Sequence, residues 1–215
     1  MNWKKIETER SLNPDDFLPI FKNKKEHIQT DRIVAIGSST GGVQILEQII
    51  SKLKENSPPI LIVQHMPKGF TKSLANRLNR SSKLNIVEAQ SGDTVERGKI
   101  LIAQGDKHML LKRTNMNYIV EIKDGPKISH HRPSVDVLFR SFANEAGKNG
   151  VGCILTGMGN DGAYGLKELR DKGALTVSQD EDSCTVYGMP KEAVLLGAVT
   201  EVLTPNEITK LINKL

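Results

Sequence analysis

Three short stretches carry the residue types of an activated nucleophile: a serine in "VAIGSSTGG" (34–42), a histidine in "QHMP" (64–67) and an aspartate in "TGMGNDG" (156–162). Gly37, Ser39 and Gly41 satisfy the G-x-S-x-G spacing that lifts a serine on a tight turn between strand and helix. A serine hydroxyl is a weak nucleophile until a neighbouring base takes its proton, and an acid behind that base fixes its tautomer. His65 and Asp161 are the residues offered for those two roles, with the acid expected on the histidine Nδ1. Each also has a plain structural reading: small residues crowd many turns, a histidine after an apolar run is commonly a satisfied structural group, and Asp161 would cap the helix after it. Read as a phosphate loop, "GSSTGG" lacks both G-x-G-x-x-G and Gly-Lys-Ser/Thr. A generic anion site at the following helix N-terminus stays open. His108, His130 and His131 are rival bases, the first in a region of short strands and the pair at the start of "HHRPSVD", a rim of the site or a solvated turn.

The elements that must position these residues follow from hydrophobic periodicity. "RIVAIG", "PPILIVQ" and "VGCILTG" are short apolar runs, followed by helical patterns in "VQILEQIISKL", "TKSLANRLN" and "AYGLKELRDKG". Strand alternating with helix implies a parallel sheet covered on both faces, and such sheets carry their chemistry at the carboxyl ends of the strands. That rule places Ser39, His65 and Asp161 on one edge. Between Leu84 and Lys123 the runs "NIVEA", "KILIAQ", "HMLLKR" and "YIVEIK", broken by turn signals, predict antiparallel hairpins added to the sheet. A helix is predicted for "SVDVLFRSFANEAG", with Pro133 and Ser134 at its start, and "TPNE" (204–207) reads as a capping box with proline at the first helical position. The fold class is α/β, a mainly parallel doubly wound sheet plus antiparallel hairpin strands.

With 38% hydrophobic and 26% charged residues, the 215-residue chain has the composition of one globular core. The net charge of +5 is spread over interspersed basic and acidic residues, and only 4% are aromatic, which disfavours nucleic-acid binding. Cys153 and Cys184 stand apart without metal-ligand spacing, as in a reducing compartment. No signal peptide or membrane span is read, so a cytoplasmic location is expected. Residues 1–30 read as a polar linker or loosely docked arm with "FLPIF" as apolar anchorage and Asp15 and Asp16 as a solvated turn, and residues 31–215 as the compact domain.

From about Arg32 to the C-terminus the chain resembles the catalytic domain of the chemotaxis protein-glutamate methylesterases, the CheB family. The resemblance rests on "AIGSSTGG", "QHMPKGFT", "GDKHM", "HRPSVDVLF", "ILTGMGNDGA" and "YGMPKEA". It implies a three-layer α/β/α sandwich distinct from the α/β-hydrolase fold, whose triad runs in a different chain order. It further implies a serine hydrolase that removes methyl groups from γ-glutamyl methyl esters on the cytoplasmic domains of methyl-accepting chemotaxis receptors during adaptation. Deamidation of receptor glutamines is implied for some members. By the same resemblance Ser39 is the nucleophile, His65 the base, Asp161 the orienting acid, and the backbone amides of Thr40 and Met158 the oxyanion donors. No metal or cofactor is called for. Ser38 stands where the family usually has alanine, and its hydroxyl is expected to compete for the histidine or to face solvent. Family members commonly carry a phosphoacceptor receiver domain before the catalytic part, which residues 1–30 are too short to form.

Overall fold

The computed structural model describes residues 12–20, 32–115 and 117–215. In chain order the elements are α1 (Pro14–Phe17), β1 (Ile33–Ser38), α2 (Gly42–Ile50), β2 (Ile60–Gln64), α3 (Phe70–Arg80), β3 (Asn85–Glu88), β4 (Lys99–Ile102), β5 (His108–Arg113) and β6 (Tyr118–Lys123). There follow α4 (Val135–Glu145), β7 (Gly150–Ile154), α5 (Ala163–Asp171), β8 (Leu175–Gln179), α6 (Met189–Leu195), β9 (Glu201–Leu203) and α7 (Pro205–Ile212).

Seven strands form one parallel sheet in the order β3-β4-β2-β1-β7-β8-β9. β1, β2 and β7 are buried along their whole length, as expected for parallel strands covered on both faces. Their side chains alternate between two cores. Ile33, Ala35, Leu61 and Val63 pack with Phe139, Phe142 and Leu166 of α4 and α5 on one face. Val34, Ile36, Ile60 and Ile62 pack with Leu46, Leu78 and Ile208 of α2, α3 and α7 on the other. The result is the three-layer sandwich.

The middle of the chain departs from the sequence reading. Of the four strands read in this stretch, β5 and β6 form an antiparallel hairpin, and they make a separate two-stranded sheet. β3 and β4 pair in parallel inside the main sheet, with Ile86 opposite Ile100 and Val87 opposite Leu101. The turn signals between them suggest a simple reversal. Instead the connection runs out to the hairpin, where Thr94 bridges Ile119, before returning. The near-continuous apolar character of "KILIA" was the overlooked sign of an interior parallel strand.

The described part of the N-terminal arm lies against the domain. Leu12 bridges Ile128, Phe17 and Leu18 join Leu110, Ile128 and Val137 in a small third cluster, and Phe17 lies 4.7 Å from the His108 ring. Asp15, expected in a solvated turn, pairs with Arg140 of α4 at 2.8 Å. Residues 1–11 and 21–31, including Phe21 of "FLPIF" and the expected domain boundary, fall outside the described residues.

Candidate functional site

β1 lies between β2 and β7, where the sheet's winding changes direction, and the three loops at their carboxyl ends meet there. Ser39 follows β1 directly. Its amide donates to Thr156 O (3.0 Å) and the His65 amide donates to Ser38 O (3.0 Å), so sheet-like bonding continues to the edge. Ser38 is the register partner of Gln64, which sets Ser39 and His65 side by side one residue further on. The turn needs its glycines. Gly41 has φ +80° at the start of α2, and a Cβ on Gly37 would come within 2.1 Å of Val135, closing the space that admits the first turn of α4.

Gln64 clamps the two residues. Its amide nitrogen donates to Ser39 O (2.9 Å) and His65 O (3.2 Å), while its oxygen accepts from Ser38 Oγ (2.7 Å). Ser38 is fully buried in this bond, so its hydroxyl neither faces solvent nor bonds the histidine, and both alternatives raised for it fail. Ser39 is partly exposed, and Thr40 and Met158 are exposed beside it. A Cβ on Gly157 would come within 2.7 Å of Ser39 Cβ, which brings the 157–158 turn against the serine. Among the described residues the amides of Thr40 and Met158 donate to no protein acceptor.

Asp161 is completely buried and accepts four hydrogen bonds. Oδ2 takes Val135 N (2.7 Å) and His65 Nε2 (2.7 Å), and Oδ1 takes Ser134 Oγ (2.7 Å) and Asp136 N (3.0 Å). The carboxylate therefore sits at the N-terminus of α4, where free amides and the helix dipole favour an anion. Burial alone would raise its pKa, but the hydrogen bond and charge of His65, the Asp136 amide and Ser134 outweigh it and hold the carboxyl below its ordinary value. The expected role as a cap of the next helix is not seen: Gly162 is the N-cap residue of α5. A further correction concerns the histidine. Asp161 bonds Nε2, not Nδ1, and Nδ1 is buried without a hydrogen-bond partner.

The rival histidines separate cleanly. His108 is fully buried, with Nε2 on Pro126 O (2.8 Å) and Nδ1 accepting from Ser134 N (3.3 Å), so it braces the start of α4 away from the serine. Burial lowers its pKa. His131 stacks on His65. His65, His131 and Asp161 are the described group whose donor atoms, all within 4.8 Å of one another, could hold a metal ion. The parallel rings direct their lone pairs along parallel planes and both Asp161 oxygens already accept two bonds, so the set is poorly shaped for a shared cation.

Sequence reasoning missed Ser134, Asp136 and Gln64 as parts of the site. Ser134 and Asp136 were visible only as the opening of a helix, and nothing local tells which carboxylate a helix N-terminus will receive. Asp136, in the first turn of α4, accepts from Gly165 N (2.8 Å) and Ser129 Oγ (2.9 Å). Burial, and after it the charge of Asp161, push its carboxyl up to about 8. A groove of about 450 Å³ opens beside the site, lined by Leu12, Pro14, His130, Asn160 and Tyr164 among others.

An α/β sandwich with a serine, a histidine and a buried carboxylate on adjoining loops at one sheet edge has the arrangement of a serine hydrolase. The profile of the CheB methylesterase family matches residues 34–212, and this chain belongs to that family. It is 52% identical to the protein-glutamate methylesterase/protein-glutamine glutaminase 2 of Chromobacterium violaceum over 96% of this chain and 58% of that protein. With the protein-glutamate methylesterase/protein-glutamine glutaminase 2 of Hahella chejuensis it shares 56% identity over 83% of this chain and 48% of that one. The chain thus spans about half the length of the curated relatives it matches. The crystal structure of the Thermotoga maritima CheB methylesterase catalytic domain superposes with a TM-score of 0.84 at 40% identity, covering 86% of this chain and 98% of that one. No helix among the described residues is long and apolar enough to cross a membrane.

Proposed function

We propose that residues 31–215 form a protein-glutamate methylesterase that hydrolyses γ-glutamyl methyl esters on the cytoplasmic domains of chemoreceptors, with residues 1–30 as an arm on that unit. The observation that carries the chemistry is the pairing of His65 Nε2 with buried Asp161, which leaves Nδ1 without a hydrogen-bond partner on a residue set beside Ser39 by the β1–β2 register. The names of the relatives support a protein glutamate ester as substrate and add protein glutamine to it.

In the reaction Ser39 Oγ attacks the ester carbonyl while His65 Nδ1 takes its proton. The resulting imidazolium is stabilised by the Asp161 carboxylate, itself held ionised by α4. The Thr40 and Met158 amides face the developing oxyanion, a contribution of about 3–4 kcal/mol per donor in serine hydrolases of other folds. Methanol leaves with the proton from His65, and water then hydrolyses the acyl-serine with the same nitrogen as base. An amide substrate would follow the same path with ammonia as leaving group. The exposed positions of Thr40, Met158 and Tyr164 leave the site open to a side chain on the surface of another protein. Incubation with methylated receptor membranes tests the proposal through methanol and ammonia release. Methanol release abolished by Ser39→Ala supports it, and absence of methanol from the native chain overturns it.

A further inference from the structure

Among the described residues the His65 ring is held by a single hydrogen bond, Nε2 to Asp161 at 2.7 Å, and Nδ1 has none. One in-plane hydrogen bond leaves an imidazole free to swing about the bond axis, and a swing would displace the Nδ1 that the proposed mechanism requires to meet Ser39. The structure supplies a second restraint on the ring's face. The His131 ring lies parallel to it, with centroids 3.7 Å apart and planes within 5°.

His131 is itself fixed. Its Nδ1 donates to Ser129 O at 2.6 Å, and its backbone exchanges hydrogen bonds with Ile128 in both directions (2.9 and 3.0 Å). The preceding residues, Ser129 at φ +49° and His130 at φ +67°, occupy the left-handed region that side chains other than glycine rarely adopt. Ser129 is kept there by its hydroxyl on Asp136 Oδ2 (2.9 Å) and its amide on Leu12 O (3.3 Å). Strained backbone of this kind persists where surrounding contacts over-determine it, commonly beside reacting groups. Burial, then the neighbouring His65, lowers the His131 pKa, which disfavours a second positive charge beside the base.

We propose that His131 is a positioning residue for the catalytic base: its ring face holds the plane of His65 so that Nδ1 points at Ser39. The inference rests on the proposed role of His65. It acts through His65 and touches neither the serine nor the ester, so its loss slows the chemical step without weakening substrate binding.

The test pairs two substitutions that separate ring from hydrogen bond. His131→Phe keeps a flat face but cannot donate to Ser129 O, whereas His131→Asn keeps a donor and loses the face. For methyl-ester hydrolysis and for the rate of fluorophosphonate labelling of Ser39, the asparagine variant should lose about tenfold or more in kcat at unchanged KM, as small misplacements of reacting groups do. The phenylalanine variant should stay within about threefold of the native chain, since the face and not the nitrogens matters. Melting temperatures of both variants establish that they are folded. Equal rates in all three proteins overturn the proposal, as does a phenylalanine variant as slow as the asparagine one, or a raised KM at native kcat. Labelling separates this from the reading beneath it: a native chain that does not label at Ser39 defeats the nucleophile assignment, whereas native labelling unaffected by His131→Asn defeats only the stacking role.

Discussion

Replacing Asp161 by asparagine should leave a folded protein that turns over about ten-thousandfold more slowly, the loss seen when the equivalent acid is amidated in another serine hydrolase. The carboxylate accepts two hydrogen bonds on each oxygen, and an amide can accept on one side only. With the amide oxygen in the Oδ1 position, its NH2 faces the Val135 amide and His65 Nε2. The histidine can then only accept there, its proton moves to Nδ1, and the base is lost. With the amide reversed, Ser134 Oγ rotates to accept and the Asp136 amide is orphaned instead. In both arrangements one buried backbone donor loses its partner, about 1–3 kcal/mol of stability. In both, the negative charge facing the imidazolium disappears. A ten-thousandfold loss corresponds to roughly 5 kcal/mol in the barrier. The assay is steady-state methanol release together with fluorophosphonate labelling of Ser39, with thermal melting on the same sample. A folded Asp161→Asn protein within about tenfold of native turnover would mean that the carboxylate does not support the base.

Fluorophosphonate should label Ser39 and not Ser38, and Ser38→Ala should keep the label while losing about 1 kcal/mol of stability because Gln64 Oε1 loses its buried donor; peptide mass spectrometry and chemical denaturation check the two halves. Ser134→Ala removes both the Asp161 Oδ1 bond and the side-chain cap of α4, and should cost about 1 kcal/mol. Asp161 has a depressed folded pKa, so its stabilisation holds above the ordinary carboxylate range and is lost as pH falls through the folded value. Ser134→Ala lessens the depression, so acid unfolding followed by circular dichroism should move to higher pH. Asp136 behaves oppositely. With a folded pKa raised to about 8, its contribution is full below the unfolded carboxylate value and declines as pH rises toward about 8, and Asp136→Asn should flatten that part of the melting-temperature profile.

The strand-loop-helix units that carry Ser39, His65 and Asp161 were legible because each is local: an apolar run, small turn residues and a helical period, with the carboxyl-edge rule bringing the three together. What was not legible depends on side-chain direction and on contacts far apart in sequence. Which imidazole nitrogen meets Asp161 is set by how the 64–67 turn rolls the ring, and no residue type encodes it. The seat of Asp161 on α4 joins residues more than twenty apart. Ser38 was misjudged because its surroundings depend on Gln64 of the neighbouring strand. The parallel pairing of β3 and β4 is not legible because turn signals between apolar runs look alike whether the chain reverses or makes a longer excursion.

Ser39 should become covalently acylated during ester hydrolysis. Rapid acid quench of the protein with a receptor fragment bearing a γ-glutamyl methyl ester, followed by peptide mass spectrometry, would capture this intermediate. The expected result is a glutamyl adduct on Ser39 that rises with the first release of methanol, and neither adduct nor turnover in Ser39→Ala. Methanol release at the native rate by Ser39→Ala, or an adduct mapped to another residue, would contradict it.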